Sequence, residues 1–267
     1  MKKIWYGSVF LLGSALFVFM LFQKEPVVLE PAVDTRPLVV LDAGHGGEDF
    51  GATYPPEQEG RALLFEKDLN LAVVYAVKER LESMGVGVAL TRLCNENARE
   101  TSVRIAIAQE RCKEKFGTLC DLLVSVHHNG SQNIAHDGLM VIYGGEEDIP
   151  LSLAVHEALW EGEGPQPLIA RADVAELLHY RYGNEGFLTG EYGIVQGFSP
   201  AVLTEAYYIT NKAQAQEHLS SGDSSSFVFC TGTEQQHTSR GAFSMGKIAW
   251  EADLIVQGVL AFLEERP

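Results

Sequence analysis

The feature that most constrains the fold of this chain is a short apolar run that ends in a glycine-rich turn. Leu38 to Leu41 is an uninterrupted apolar segment, which is typical of a strand buried on both faces of a sheet. The run stops at Asp42, and three glycines between residues 44 and 47 surround one histidine, His45. Such a turn can hold an imidazole at the end of a central strand, where open α/β sheets bind their ligands. Glycine-rich turns after strands also bind phosphates or simply lead into helices, so this turn alone does not decide the function.

A second apolar segment, Ile4 to Phe22, lies near the N-terminus. Its 19 uncharged residues, at about 1.5 Å each, come close to the thickness of the hydrocarbon core of a bilayer. Lys2 and Lys3 precede the segment, and no small-x-small cleavage site follows it. The sequence therefore predicts an uncleaved membrane anchor in residues 1–22, with the N-terminus in the cytoplasm and the rest of the chain outside. The alternative is a protein secreted after cleavage of a signal peptide.

Residues 38–267 alternate between strand and helix patterns. The predicted strands are Leu38–Asp42, Val86–Thr91, Leu122–His127, Leu139–Tyr143 and Ala201–Leu203, the last ending at Glu205. The predicted helices are Lys67–Met84, Ser102–Lys115, Leu151–Glu161, Ala172–Tyr180 and Ala242–Leu263. This alternation implies one α/β domain with a largely parallel twisted sheet covered on both faces by helices. Residues 23–37, rich in Pro, Glu and Val, predict an extended linker before this domain.

Three finer expectations follow from the same patterns. Val103, Ile107 and Ala108 should face the core from the second helix. The polar, glycine-containing stretch Ser220–Gly241 predicts a long surface loop. Ser125 and His127 should share one face of their strand, with His128 on the other face.

The charge balance excludes nucleic acid as a partner. Without Lys2 and Lys3 the chain has 18 basic residues against 36 acidic ones. A surface with this excess of negative charge repels nucleic acid and anionic membranes, and no basic run compensates for it.

The four cysteines, Cys94, Cys112, Cys120 and Cys230, suit an oxidising compartment. None has the Cys-x-x-Cys spacing of a thiolate metal site. Cys112 and Cys120 flank a short turn and could form a disulfide, which leaves Cys94 and Cys230 as a second pair. Four unpaired thiols are the alternative.

Three more candidate site residues lie at strand ends or helix starts, where an open α/β sheet gathers polar side chains. Glu66 comes just before the first helix, His127 ends the third strand, and Glu205 follows the apolar run Ala201–Leu203. Each has a plain structural interpretation, such as a helix-terminal acid or a satisfied histidine at a strand end. Glu205 is the hardest to explain in that way, because a buried carboxylate needs a metal, a cation or a raised pKa.

Two imidazoles and a carboxylate form the usual ligand set of a hydrolytic zinc site, which keeps its fourth position open for water. His45, Glu66 and His127 supply this set, and Glu205 would be the spare acid that moves a proton from the nucleophile to the leaving nitrogen. Residue chemistry alone leaves other functions open, because such residues are scattered through any chain of this length.

Five motifs occur in one order along the chain. They are Gly-His-Gly-Gly-x-Asp-x-Gly-Ala at 44–52, Glu66 before a helix, Thr91-Arg92, Ser-x-His-x-Asn at 125–129, and Pro-Ala-Val-Leu-x-Glu at 200–205 with Thr210-Asn211 beyond. In this order the chain resembles the zinc-dependent N-acetylmuramoyl-L-alanine amidases, the amidase 3 family of cell-wall hydrolases, over essentially all of residues 38–263.

The resemblance implies a fold, a metal and a reaction. The fold is a single α/β domain of phosphorylase/hydrolase-like architecture, with one zinc ion held by His45, Glu66 and His127 and with Glu205 as the catalytic acid/base. The reaction is hydrolysis of the amide bond between N-acetylmuramic acid and L-alanine in peptidoglycan, on the periplasmic or cell-wall side of the membrane. A zinc peptidase or amidase with another substrate, and a catalytically idle wall-binding module, are the alternatives, and a protein activator is compatible with either.

The chain departs from the family pattern at a few positions. Ala43 stands where the family usually has proline, and His128 and Gly130 replace small residues after the second histidine. The stretch Ala206–Ile209 replaces the usual Ile/Thr-Gly-Phe-Leu after the catalytic acid, so we expect the floor of the substrate cleft to differ.

Other polar residues near the motifs have simpler expectations. Arg92 and Arg104 are expected to be structural ion-pair partners. Asp42 and Asp49 either hydrogen-bond a metal-ligating histidine or cap turns. The histidines without a motif, His136, His156, His179, His218 and His237, are expected at the surface or in loops.

Overall fold

Five strands form the central sheet of the protein in a computed structural model that describes residues 35–56, 61–96, 101–161, 193–220, 224–225 and 243–265. All nine described strands are β1 (Leu38–Ala43), β2 (Thr53–Tyr54), β3 (Leu64–Phe65), β4 (Gly87–Leu90), β5 (Leu122–Asn129), β6 (Met140–Ile142), β7 (Ala201–Tyr208), β8 (Ser224–Ser225) and β9 (Phe243–Ser244). The central sheet has the order β4-β1-β5-β7-β6. The remaining strands pair as two short hairpins, β2 with β3 and β8 with β9.

The pairing confirms a mostly parallel sheet. β1 runs parallel to β4 and to β5, and β5 runs parallel to β7. β6 pairs antiparallel with β7 at one edge of the sheet. A local apolar pattern predicts that such an edge strand exists but carries no information on its direction, which the chain connections set.

Helices cover both faces of the sheet, as predicted. They are α1 (Glu66–Ser83), α2 (Thr101–Phe116), α3 (Ile149–Glu161), α4 (Gly193–Gln196), α5 (Lys212–Ser220) and α6 (Met245–Glu264). One apolar cluster joins α1, α3 and α6 to one face of the sheet, and a second joins α2 and α4 to the other. The apolar residues that recur at helical spacing on α1, namely Leu69, Val73, Val77 and Leu81, are all buried. The protein is therefore an α/β domain with one core on each side of the sheet.

Several predicted boundaries differ from the structure. β7 continues three residues past Glu205 to Tyr208, so Glu205 lies within the strand rather than at its end. α6 begins at Met245, because the side chain of Ser244 accepts a hydrogen bond from the backbone N–H of Lys247 and caps the helix there. The hairpin of β2 and β3 and the helix α5 have no counterpart in the predicted pattern.

The inward face of α2 differs from the predicted one. Val103 was expected in the core but is 43% exposed, and its neighbour Arg104 is buried instead. Buried positions recur every four residues at Arg104, Ala108, Cys112 and Phe116. The hydropathy pattern fails here because a buried carboxylate, Asp42, offers Arg104 a partner that no local window of sequence contains.

Other predictions fall outside the described residues. These are the membrane segment Ile4–Phe22, most of the linker, the helix Ala172–Tyr180 and most of the loop Ser220–Gly241. Within the described ranges, no helix is both long enough and apolar enough to cross a membrane.

A disulfide joins Cys112, at the inner face of α2, to Cys120 in the loop before β5, with 5.5 Å between their Cα atoms. This pairing confirms one of the two predicted bridges. Cys94 is also disulfide-bonded, and its predicted partner, Cys230, lies outside the described residues.

Asp42 ties together the end of β1, β5 and α2. Its carboxylate accepts hydrogen bonds from the hydroxyl groups of Thr91 (2.5 Å) and Ser125 (2.7 Å) and pairs with the guanidinium of Arg104 (2.8 Å). Burial alone would raise the pKa of Asp42, but the charge of Arg104 and the two hydroxyl donors outweigh it and lower the pKa to about 2.

We expect Asp42→Asn to lower the free energy of unfolding by about 3 kcal/mol at pH 7, because it removes one partner of a buried ion pair. A depressed folded-state pKa adds stability above the unfolded value, and that stability is lost as the pH falls toward 2. The difference between wild type and variant should therefore shrink between about pH 4 and pH 2. Urea unfolding at several pH values measures it, and a difference that stays constant would contradict the assignment.

Candidate metal centre

The turn after β1 presents His45 in an unusual backbone conformation. His45 has a φ of +60°, a left-handed value that β-carbons disfavour. Strained φ values of this kind persist only where the surrounding contacts enforce them, and they cluster at functional sites. The neighbouring glycines at positions 46 and 47 also have positive φ, so the turn can reverse sharply around the imidazole.

Two buried arginines hold the backbone of this turn. Arg92 donates hydrogen bonds to the carbonyl oxygens of Ala43 (2.8 Å) and Gly44 (3.0 Å). Arg104 donates to the carbonyl oxygens of Ala43 (3.0 Å) and His45. Burial, together with the nearby charge of Arg104, lowers the pKa of Arg92 to about 10.

These contacts settle the role expected for the two arginines. Arg104 is a structural ion-pair partner of Asp42, as predicted. Arg92 instead binds carbonyl oxygens, including that of Cys94 (2.7 Å). Three carbonyl oxygens in a row thus accept guanidinium donors, which fixes the turn although Ala43 replaces proline.

The side chains of His45, Glu66 and His127 converge on one point. Nε2 of His45 lies 3.0 Å from Oε1 of Glu66, and Nδ1 of His127 lies 3.2 Å from the same oxygen. One ligand atom from each residue lies within 4.8 Å of the other two. The three residues come from the turn after β1, the first residue of α1 and the end of β5, so the fold brings together positions up to 82 residues apart in sequence.

Glu66 is buried and well supplied with hydrogen-bond donors. Its Oε2 accepts the backbone N–H of Ala52 (2.8 Å), and its Oε1 accepts the backbone N–H of His128 (3.0 Å) and the side-chain amide of Asn70 (3.2 Å). Burial opposes ionisation, yet the charge of His45 and the histidine hydrogen bonds hold the pKa of Glu66 well below its usual value. The group is therefore a carboxylate, the form that binds a metal.

Asp49 orients the imidazole of His45. Nδ1 of His45 donates to Oδ2 of Asp49 (2.9 Å), which leaves Nε2 to face Glu66. Burial opposes protonation of His45, but the carboxylates of Glu66 and Asp49 raise its pKa to about 10. Of the two interpretations considered for each aspartate, Asp49 takes the histidine-orienting one, whereas Asp42 anchors the strand end.

Two glycines leave room for the converging side chains. A Cβ atom at Gly44 would lie 2.3 Å from Cε1 and Nε2 of His127. A Cβ atom at Gly51 would lie 2.4 Å from Oε2 of Glu66 and 2.6 Å from Cδ2 of His45. The rings and the carboxylate therefore pack directly against backbone, which only glycine allows at these positions.

Glu205 lies on the strand next to His127. The two residues are paired in the register of β5 and β7, so their side chains leave the same face of the sheet about 5 Å apart. Oε2 of Glu205 is buried and has no hydrogen-bond partner among the described residues. Burial and the charge of Glu66 raise the pKa of Glu205 well above its usual value, against a smaller opposing effect of His45. An acid with a raised pKa beside the cluster can hold a proton and release it.

The donor set fits a zinc ion. Two imidazole nitrogens and a carboxylate oxygen are ligands that zinc prefers, and ligand atoms around a tetrahedral zinc ion lie about 3.3 Å apart. The separations of 3.0 Å and 3.2 Å that join the histidine nitrogens to Glu66 are close to that spacing. Asp49, which accepts from His45, and the N–H donors of Ala52 and Asn70, which donate to Glu66, supply the outer hydrogen bonds that orient such ligands.

His128 and Tyr207 lie outside this cluster and pack against each other. His128 occupies the opposite face of β5, as expected, and its ring packs against Tyr207 with 4.6 Å between ring centroids. Tyr207 is fully buried, so its side chain belongs to the core on that face of the sheet.

His218 was expected at the surface but is completely buried, because Nε2 bonds the hydroxyl of Tyr207 (2.9 Å) and Nδ1 accepts the N–H of Ser244. His136 is exposed, as predicted, and His156 is half-buried on α3. His179 and His237 lie outside the described residues.

Three comparisons place the chain among known proteins. A family model described as N-acetylmuramoyl-L-alanine amidase (Amidase_3) matches residues 39–227. The chain is 29% identical to an uncharacterized protein, YqiI, of Bacillus subtilis over 219 residues, which cover 81% of this chain and 88% of that protein. It is 32% identical over 115 residues to the germination-specific N-acetylmuramoyl-L-alanine amidase of Bacillus subtilis, which cover 41% of this chain and 46% of that enzyme.

A solved structure shows the same fold. The N-acetylmuramoyl-L-alanine amidase from Clostridium difficile 630 superposes with a TM-score of 0.58 at 19% identity, over 88% of this chain and all of that one. The family model spans most of the chain, including His45, Glu66, His127 and Glu205. The chain therefore belongs to the N-acetylmuramoyl-L-alanine amidase family and is an enzyme of that family.

Proposed function

We propose that the protein hydrolyses the amide bond between N-acetylmuramic acid and L-alanine in peptidoglycan, at a zinc ion held by His45, Glu66 and His127. The observation that carries this proposal is the convergence of two imidazole nitrogens on Oε1 of one buried carboxylate. A family of amidases with cell-wall substrates supports the choice of bond.

The zinc ion would polarise the substrate carbonyl and lower the pKa of a water molecule. The side chains of the protein would orient the metal ligands and transfer the proton. His45, turned by Asp49, and His127, packed against Gly44, keep their facing nitrogens toward Glu66. Glu205 takes the proton of the attacking water on Oε2, the oxygen without a partner among the described residues, and delivers it to the leaving nitrogen.

The proposed location follows from the N-terminal sequence. An anchor at Ile4–Phe22 and a linker over residues 23–37 would hold the catalytic domain, residues 38–267, on the outer side of the membrane, facing peptidoglycan. The strong negative charge of the chain agrees with a substrate other than nucleic acid.

The first prediction of the proposed function concerns metal content. Purified protein should contain one zinc ion per chain, and chelation should abolish release of stem peptides until zinc is restored. His127→Ala should lose the zinc, as measured by elemental analysis. The matched control His136→Ala removes an exposed imidazole and should retain it. Equal zinc content in the two variants would contradict the ligand assignment.

The second prediction concerns Glu205. Glu205→Gln keeps the size of the side chain but cannot accept a proton, so it should keep the zinc and lose about 10²- to 10⁴-fold in kcat. Mass spectrometry of digested peptidoglycan should show peptides with a free L-alanine amino terminus and intact sugar chains. Full activity of the variant would rule out the acid/base role, and a different cleaved bond would rule out the substrate.

The third prediction concerns the space beside His127. Gly44→Ala places a Cβ atom against the imidazole, so the ring must shift and zinc affinity should fall at least tenfold. Gly117→Ala is the control, because it strains a positive φ of 75° where an added Cβ meets nothing within 4 Å. The control should lose about 1 kcal/mol of stability and no zinc affinity. Competition with a chelator measures the zinc affinity of both variants. An equal zinc affinity in Gly44→Ala and wild type would show that the imidazole of His127 does not need this space.

A further inference from the structure

We propose that Asn70, His128 and Glu251 are positioning residues that fix the orientation of the Glu66 carboxylate from below the sheet. This inference rests on the proposed function, because it assigns the three residues a role toward a proposed metal ligand. They belong to three different elements, α1, β5 and α6, and together we call them the support chain.

The support chain is a continuous line of buried hydrogen bonds. Nδ2 of Asn70 donates to Oε1 of Glu66 (3.2 Å), and Oδ1 of Asn70 faces Nδ1 of His128 (2.7 Å). Nε2 of His128 faces Oε2 of Glu251 (2.9 Å). Asn70 and Glu251 have no exposed surface, and His128 is 1% exposed. The support chain therefore connects the site to α6 and is shielded from solvent along its whole length.

The hydrogen-bond partners determine how the amide of Asn70 is oriented. Its Nδ2 lies near the Glu66 carboxylate and also near the carbonyl oxygen of Gly44 (3.3 Å), and both of these groups can only accept. Oδ1 must therefore face His128, whose Nδ1 carries a hydrogen and donates it. Without that donor the amide could rotate and turn its oxygen toward the carboxylate of Glu66, which would repel it.

Glu251 has no evident reason to be in the core for stability alone. Its Oε1 is buried and has no hydrogen-bond partner in the described part of the chain, and an unpaired buried oxygen is unfavourable. Replacing a buried ion pair with apolar side chains is often neutral or stabilising. Its partner, the ring of His128, is fixed further by the edge-on contact with Tyr207. A buried polar pair that leaves one oxygen unpartnered and leads to a proposed metal ligand is best explained by what it does for that ligand.

The test compares a double variant, His128→Leu with Glu251→Leu, with the wild-type full chain. It removes the polar pair together but keeps the backbone N–H of His128 that donates to Glu66. We expect the melting temperature of the metal-free protein to be unchanged or higher. The dissociation constant for zinc should rise 10- to 100-fold, and kcat should fall while KM stays within twofold. Asp253→Asn, which removes an exposed carboxylate from the same helix, should change none of these.

The outcomes separate this inference from the proposed function. A wild-type protein that binds no zinc would overturn the proposed function and this inference with it. A zinc-binding wild type and a folded double variant with the same zinc affinity would overturn the inference alone.

A second pair of variants keeps the test decisive if the double variant does not fold. Glu251→Gln preserves a hydrogen bond to His128 and should bind zinc within threefold of wild type. Glu251→Met removes the bond and should bind zinc at least tenfold more weakly. Equal zinc affinity in these two variants would contradict a positioning role.

Discussion

The buried carboxylate of Glu66 is the constraint on which the rest of the site depends. A carboxylate that is only 3% exposed must be supplied with donors or positive charge, or it would not remain ionised. The chain supplies them from distant parts of the sequence: the backbone N–H groups of Ala52 and His128, and the side chains of His45 and His127. Satisfying this single group therefore fixes the turn after β1 and the end of β5 relative to the start of α1. The geometry of the proposed metal site follows from the same contacts.

Buried cations hold the turn that carries His45, although the chain as a whole is acidic. Arg92 and Arg104 donate to consecutive carbonyl oxygens of the turn, and Lys67 donates to the carbonyl oxygen of Gly47 (2.7 Å). Carbonyl groups in a tight turn cannot all pair with backbone N–H groups as they would in a helix or a sheet, so side-chain donors must satisfy them. Guanidinium groups suit this task because one group can reach several oxygens in a fixed plane.

Sequence periodicity predicted β1, β5, α1 and the outline of the sheet, because each of these elements buries a regular apolar pattern. The order of the motifs also identified the four residues that the structure brings together. Sequence periodicity failed where a charged or polar side chain is buried against a partner far along the chain. Examples are Arg104, which is buried in place of Val103, and the buried side chains of Glu251 and His218. Such pairs satisfy each other across more than 60 residues, in the case of Arg104 and Asp42, and no local window contains both members. The antiparallel direction of β6 was hidden for the same reason, since it depends on connections and not on composition.

The strand β5 connects the two sides of the sheet at the site. Consecutive residues of a strand point to opposite faces, so His127 faces Glu66 and Glu205, whereas His128 reaches Asn70 and Glu251 on the other side. A shift of one residue in the register of β5 would exchange the two histidines and disrupt both sets of contacts at once. The support chain therefore specifies register as well as orientation. A buried polar network can in this way contribute to a single native arrangement of the site, independently of its effect on stability.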